Sequence, residues 1–154
     1  MTEPIVIESI TAEIDAPAEF VWQVLVDYPR YPEWNPYTVQ VSTTLDIGSP
    51  IDLTVPAMDG SAGTFVNREY VRVVDPPRHL RYDTGDDVPG VFAFRDQWID
   101  PLGDDRCRYR TTDTFSGAHA ERLLAATGPW IKAGFDAVAR ALKHRAERLW
   151  AARA

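Results

Sequence analysis

The clearest hydrophobic–polar pattern lies near the C-terminus, between Pro129 and Trp150. The apolar residues there recur at spacings of four, three, four and seven positions, at Ile131, Phe135, Val138, Leu142 and Leu149. This is the 3.6-residue period of a helix with one apolar face. The pattern predicts a helix over 129–150, with Thr127 as its N-cap and Pro129 in its first turn. Such a helix is about 33 Å long and needs a large apolar surface to pack against.

The N-terminal part of the chain predicts a strand followed by a short helix. Residues 5–14 are rich in Ile and Val and alternate between apolar and polar in their second half, which is typical of a strand. We expect Asp15 to cap the helix and the helix to end near Asp27, because Pro29 disfavours helical geometry at Tyr28. Three prolines in 28–37 exclude a long helix or a central strand there, although one helical turn at 32–34 is compatible with them.

The middle of the chain has the pattern of an antiparallel meander. The predicted strands are 38–45, 50–55, 64–74, 78–83, 91–100 and 105–115, separated by Gly, Asp and Pro turn signals. The connections are too short for crossover helices, so neighbouring strands should be antiparallel. Residues 119–126 are interpreted as a short helix that leads into the last one. The prediction is an α+β fold with about seven strands, in a single domain over 1–154.

Composition narrows the class of protein. The chain of 154 residues suits one sizeable core, and its net charge of −7 argues against nucleic acid as a partner. No apolar run of about 18 residues is present, so we expect no membrane span, and the N-terminus lacks the features of a signal peptide. Cys107 is the only cysteine, which fits a reducing compartment. These features predict a cytoplasmic protein.

Four segments carry a resemblance to a known family. They are 15–36 (DAPAEFVWQVLVDYPRYPEWNP), 73–82 (VVDPPRHLRY), 99–117 (IDPLGDDRCRYRTTDTFSG) and 134–149 (GFDAVARALKHRAERL). With these segments the chain resembles the START-like superfamily, in the branch of polyketide cyclases, dehydratases and lipid-transport proteins, which has many uncharacterised bacterial members. The resemblance implies a helix-grip fold, in which a curved antiparallel sheet wraps the long helix around a cavity for an apolar small molecule. It implies no catalytic residues, because the family has no universal catalytic motif.

Strand alternation predicts which side chains face that cavity. Within 91–100 the more apolar face should point inward, and the Gly103 turn should place Trp98 opposite Tyr109. Trp34 is interpreted either as part of the cavity entrance or as a structural lid, together with Asn35. The predicted ligand-binding residues are Trp34, Phe65, Asn67, Glu69, Tyr82, Phe92, Phe94, Asp96, Trp98, Tyr109, Thr111, Asp113, Phe115, Phe135, Val138 and Leu142.

Three of these residues are candidates for catalysis: Asp96, Asp113 and Tyr109. A carboxylate on an apolar wall is costly to ionise, so burial would raise its pKa towards neutrality and suit it to general acid–base chemistry. The alternative is a one-residue difference in register, which would turn Asp96 and Asp113 outward to solvent or to ion pairs.

Other chemistry has little support in the sequence. The three histidines lack metal-site spacing, no Ser lies in a GxSxG motif, and no glycine-rich loop suits a phosphate, so we expect neither metal nor cofactor. Two function hypotheses follow. The first is binding of a lipid-like or polyketide-like small molecule, and the alternative is a polyketide cyclase or dehydratase that uses cavity carboxylates. A role in stress response or partner binding without a dedicated small ligand is a third interpretation, and the oligomeric state is left open.

Overall fold

An antiparallel sheet and a long C-terminal helix dominate the computed structural model, which describes residues 3–153. Within that range the sheet has eight strands: β1 (Ile5–Glu8), β2 (Ala12–Ile14), β3 (Gln40–Thr43), β4 (Pro50–Pro56), β5 (Thr64–Asp75), β6 (His79–Asp83), β7 (Phe92–Pro101) and β8 (Cys107–Ser116). Their order in the sheet is β1-β8-β7-β6-β5-β4-β3, and β2 also pairs with β8. The helices are α1 (Ala18–Val26), a 3-10 helix (Tyr28–Glu33) and α2 (Ala120–Ala151). The predicted α+β helix-grip architecture is confirmed.

Helix α2 buries the predicted apolar face against the concave side of the sheet. Phe135, Val138 and Leu142 are all at most 2% exposed. The helix begins at Ala120, however, so the predicted N-cap at Thr127 is wrong: its Oγ1 donates to the Leu123 carbonyl oxygen at 2.8 Å inside the helix. Pro129 therefore lies inside the helix rather than in its first turn, and the preceding Gly128 is buried on the packed side.

The N-terminal elements differ from the prediction in two respects. The strand predicted over 5–14 is divided, because Ser9 accepts a bond from the Thr111 backbone N–H and donates one to the Ile10 carbonyl oxygen. Asp15 does not cap α1. Its backbone N–H instead donates to Glu147 Oε2 at 2.9 Å, and Pro17 occupies the N-cap position without a side-chain bond. The predicted end of α1 before Tyr28 is confirmed.

The pairing of β7 with β8 is one residue away from the predicted register. Ile99, rather than Trp98, lies opposite Tyr109, and Arg95 lies opposite Asp113. The connection over 102–106 decides this: the Leu102 N–H donates to the Arg106 carbonyl oxygen at 2.8 Å, and Gly103 adopts a φ of +131°. A shift of one residue exchanges the two faces of a strand. The inner face of β7 is therefore Ala93, Arg95, Gln97 and Ile99.

A bulge in β5 has a similar effect further along the sheet. The pairing with β6 shifts between Val71 and Val73. Val71 is buried and Val74, rather than Val73, packs against the core.

In the described part of the chain, no helix is both long and apolar enough to cross a membrane.

Candidate functional site

A cavity of about 470 Å³ lies between the concave face of the sheet and the N-terminal half of α2. Strands β4 to β8 form one wall, α2 forms the other, and the 84–91 connection closes one side. The aromatic side chains of this lining are Tyr37, Phe65, Tyr82, Phe115, Trp130 and Phe135. The lining is thus apolar over most of its area, as small-molecule sites usually are.

Seven of the predicted ligand-binding residues line this cavity: Phe65, Asn67, Glu69, Tyr82, Asp113, Phe115 and Phe135. They come from β5, β6, β8 and α2, where strand alternation and helical period placed the inner face correctly. The structure brings together side chains that are up to 70 positions apart in the sequence, from Phe65 to Phe135.

The other nine predicted residues do not line this cavity. Trp34 packs against the main core next to Tyr31, and Leu142 is a core residue deeper along α2. Val138 is also buried, but it lines a much smaller neighbouring cavity. Tyr109 and Thr111 are fully buried but point into the sheet's polar network rather than into the cavity. The remaining four residues lie on the outer face of β7 because of the register shift: Phe92, Phe94, Asp96 and Trp98.

Asp96 is therefore removed from the catalytic candidates. Its carboxylate is buried on the outer face of the sheet, where Arg81 donates to both oxygens at 2.7 and 3.1 Å. His79 Nε2 lies 2.5 Å from Asp96 Oδ1, and the His79 ring stacks on Trp98 at 3.8 Å. The cost of burying this acid is offset by direct ion pairing, so the group ties β6 to β7.

Arg95 is the main site residue that sequence reasoning missed. Its side chain enters the cavity beside Asp113, its partner on β8, and the residue is 6% exposed. The guanidinium donates from Nε to Thr111 Oγ1 and from Nη1 to Tyr82 Oη, both at 3.0 Å. It also lies 4.4 Å from the centre of the Phe135 ring, a favourable cation–π distance. A fixed positive charge therefore stands at the inner end of the cavity.

Two acids share the cavity with Arg95. Burial raises the pKa of Glu69 well above its usual range, and the neighbouring Asp113 carboxylate raises that pKa further while Arg95 lowers it. Burial likewise raises the pKa of Asp113 to about 7, again against the lowering effect of Arg95. Glu69 Oε1 and Asp113 Oδ1 are buried without a hydrogen-bond partner among residues 3–153. Unpaired oxygens and raised pKa values in a cavity are typical of functional carboxyl groups.

Tyr109, the third catalytic candidate, is linked to Arg95 through Gln97 and Tyr82. Its hydroxyl donates to Gln97 Oε1 at 2.6 Å, and Gln97 Nε2 donates to Tyr82 Oη at 3.4 Å. Tyr82 in turn accepts from Arg95. This chain of hydrogen bonds positions the guanidinium, which makes Tyr109 a positioning residue in the structure.

Tyr37 and Trp130 are aromatic residues of the cavity wall that the sequence prediction also missed. The Tyr37 ring packs edge-on against Trp130 and Phe135, with centroids at 5.3 and 5.7 Å. This approach needs a glycine in α2, because a Cβ on Gly134 would lie 2.2 Å from Tyr37 Cδ1. A glycine in the middle of an amphipathic helix was the available signal for this contact.

Residues 3–153 contain no group of three or more His, Cys, Asp or Glu side chains arranged to hold a metal ion.

The rim of the cavity carries exposed apolar side chains: Phe65, Val88 and Leu123 are each about 40% exposed. The arrangement as a whole can enclose an apolar body, orient it with one cation, and exchange protons through two acids.

A family model described as polyketide cyclase/dehydrase and lipid transport matches residues 8–147. No curated protein matches the sequence. Among solved structures, the Zhui aromatase/cyclase from Streptomyces sp. R1128 is 23% identical, with a TM-score of 0.67 over 95% of each chain. A norcoclaurine synthase from Thalictrum flavum is 18% identical, with a TM-score of 0.66 over 97% of this chain and 98% of the other. A START superfamily protein from Mycobacterium smegmatis is 22% identical, with a TM-score of 0.65 over 96% and 99%. At these identities the structural likeness shows a shared fold.

Proposed function

This chain belongs to the polyketide cyclase/dehydrase and lipid transport family, and we propose that it binds a hydrophobic, partly aromatic small molecule between the sheet and α2. The observation that carries the proposal is the cavity of about 470 Å³ with its aromatic walls. Ligand sites of drug-sized molecules commonly occupy about 300–1,000 Å³.

Apolar burial would supply most of the affinity. A ligand that buries about 300 Å² of apolar surface gains about 7 kcal/mol before the cost of association. Flat rings suit the walls, because Tyr37, Trp130 and Phe135 already pack edge to face around the space.

The polar groups would set the orientation of the ligand. Arg95 can donate to an acceptor oxygen, and a protonated Glu69 or Asp113 can donate to another. The ligand we propose is therefore an aromatic or polyketide-like molecule that carries carbonyl or hydroxyl oxygens on an otherwise apolar skeleton.

Binding is best tested with one residue changed at the cavity wall. Thr127 lines the cavity from α2, whereas its neighbour Ala126 is exposed and lies outside the cavity. We expect Thr127→Trp to abolish saturable binding of naphthalene, measured by titration calorimetry, and Ala126→Trp to leave it intact. Native mass spectrometry of the purified protein should reveal a co-purified small molecule. A folded wild-type sample that binds no naphthalene would refute the proposal.

A second candidate function is catalysis of an aldol-type cyclisation or a dehydration. The specific observation in its favour is that Glu69 Oε1 and Asp113 Oδ1 are buried in the cavity without a hydrogen-bond partner among residues 3–153, where burial raises the pKa of both acids. Ionised Asp113 would remove a proton from the carbon next to a ligand carbonyl, and Arg95 would stabilise the resulting enolate oxygen. Glu69, whose pKa burial raises well above its usual range, would donate its proton to the leaving hydroxyl.

This activity can be tested without a known substrate. Acetophenone has exchangeable hydrogens next to its carbonyl, and NMR follows their replacement by deuterium. We expect the wild-type protein to accelerate the exchange and Asp113→Asn to abolish the acceleration while acetophenone still binds. Asp52→Asn, which removes an exposed acid paired with Arg68, is the control and should keep the wild-type rate. Exchange no faster than in buffer would exclude this role for Asp113.

A further inference from the structure

A second and much smaller cavity adjoins the first, behind the Arg95 side chain. This small cavity, here called the well, has a volume of about 10 Å³, which is enough for one oxygen atom. We propose that this well is the subsite for one oxyanion or carbonyl oxygen of the ligand, so that the ligand is a phenol or an enolisable ketone. The proposal rests on the proposed function, because it places one end of the molecule that the larger cavity binds.

The polar side chains of the well can all donate hydrogen bonds. They are Tyr28, Tyr31, Asn35, Thr38, Tyr82, Arg95 and Gln97. The two carboxyl groups of the larger cavity, Glu69 and Asp113, do not line the well. A lining that is rich in donors and contains a cation selects an acceptor atom, and it selects most strongly one with negative charge.

Two tyrosine hydroxyls have hydrogens that are free to be donated. Tyr28 is 9% exposed, and its hydroxyl has no partner among residues 3–153. Tyr82 Oη accepts from both Arg95 and Gln97, which occupies its two lone pairs, and in the described chain it donates to no acceptor. Burial raises the pKa of both hydroxyls against the lowering effect of Arg95, so each keeps its hydrogen at neutral pH.

Buried hydroxyl hydrogens without an acceptor are rare, so both hydroxyls call for an acceptor in the well. A phenolate or enolate oxygen accepts from two hydroxyls and a guanidinium, and the low dielectric of the site strengthens such bonds. An ammonium group would instead meet the Arg95 charge and a set of donors, and would be excluded.

The position of the well fits a ligand that occupies both spaces. Thr38, Leu53, Tyr82 and Arg95 line the small well and the larger cavity alike. An apolar skeleton in the larger cavity can therefore present one oxygen past Arg95. The acids Glu69 and Asp113 line only the larger cavity, so they would contact the skeleton rather than the oxygen in the well.

The test compares two probes that differ by one oxygen, naphthalene and 2-naphthol, by titration calorimetry. We expect wild-type protein to bind 2-naphthol about 10-fold more tightly, the effect of one charge-assisted hydrogen bond. Tyr28→Phe should reduce this preference to about 3-fold or less without changing naphthalene affinity. Tyr82→Phe should reduce it similarly, and 2-naphthylmethylamine should bind more weakly than naphthalene.

Tyr70→Phe is the matched control. Tyr70 lines neither cavity, and its hydroxyl donates to Asp87 Oδ2 at 2.5 Å, so this variant should keep the wild-type preference for 2-naphthol. If naphthalene binds and the hydroxyl adds no affinity, the oxygen subsite is wrong while the larger cavity stands. An equal preference in wild type, Tyr28→Phe and Tyr82→Phe would show a water site only and also overturn the proposal. If neither probe binds a folded sample, the proposed binding function fails with it.

Discussion

Replacing Asp113 with Asn should raise the free energy of unfolding, relative to wild type, more at neutral pH than at acidic pH. In the native state, burial raises the pKa of Asp113 from its ordinary value of 3.8 to about 7. The native protein therefore holds this proton between about pH 4 and pH 7, where the unfolded chain has released it. Because the native state binds more protons in that window, its stability falls as the pH rises. The Asn side chain has no proton to lose and no such dependence.

The magnitude follows from the two pKa values. A difference of about three pH units corresponds to about 4 kcal/mol over the whole window. The unfolded carboxyl group ionises mainly below pH 5, so part of this difference develops before pH 5 is reached. About 3 kcal/mol of it falls between pH 5 and pH 8.5. The free energy of unfolding of Asp113→Asn, relative to wild type, should therefore increase by about 3 kcal/mol from pH 5 to pH 8.5.

Urea denaturation followed by tryptophan fluorescence at the two pH values measures this difference. Asp52→Asn is the control, since a hydrogen bond from Arg68 lowers the pKa of Asp52 from its ordinary value of 3.8. That carboxylate is ionised in both the native and the unfolded state at pH 5 and at pH 8.5, so the Asn variant should differ from wild type by the same free energy at both. The reasoning about Asp113 is refuted if its Asn variant differs from wild type by the same free energy at both pH values.

Three further predictions test the core, the cavity wall and the charge in the cavity. Leu142→Ala should lower the free energy of unfolding by about 2–5 kcal/mol, because buried contacts are lost and a cavity is created, whereas His144→Ala on the exposed side of α2 should lower it by less than about 0.5 kcal/mol. Equal losses of the two variants in urea denaturation would contradict the packing of α2. Phe65→Asp places a charge on the cavity wall and should weaken naphthalene binding by at least about 10-fold, while Phe94→Asp on the outer face of β7 should not change it; loss of binding in the Phe94 variant alone would reverse the assignment of faces. Arg95→Met removes the cation that lowers the pKa of both cavity acids, so carboxyl-carbon NMR titration should show both acids titrating at higher pH than in wild type. A lower pKa for either acid in the variant would contradict this electrostatic account.

The elements that could be predicted from the sequence are those set by local periodicity. The apolar face of α2 follows from a 3.6-residue repeat that continues over six turns, and the strands of the meander follow from alternation between turn signals. Asp113 and Phe115 were placed on the cavity side for the same reason, since β8 alternates without interruption from Cys107. Such patterns are properties of neighbouring residues and need no knowledge of the partner surface.

The orientation of β7 was decided by the tertiary structure. Its more apolar face, with Phe92, Phe94 and Trp98, lies outside, and the face with Arg95 and Gln97 lies inside. A hydrophobic pattern points inward only where the interior is a packed core. Here the interior contains a cavity whose wall tolerates a cation held by hydroxyls. On the outside, Arg81 covers the Phe94 ring and Arg110 covers the Trp98 ring.

Likewise, neither the well nor the pairing of Arg95 with Asp113 could be predicted from the chain alone. Both depend on the register between β7 and β8, which a five-residue connection sets through one backbone hydrogen bond, from Leu102 to Arg106. A shift of one residue there would exchange Arg95 with Phe94 or Asp96 on the cavity wall. The sequence by itself thus determined which segments form the helix and the sheet. The long-range pairing of strands decided which charges the cavity contains, because side-chain direction depends on register rather than on composition.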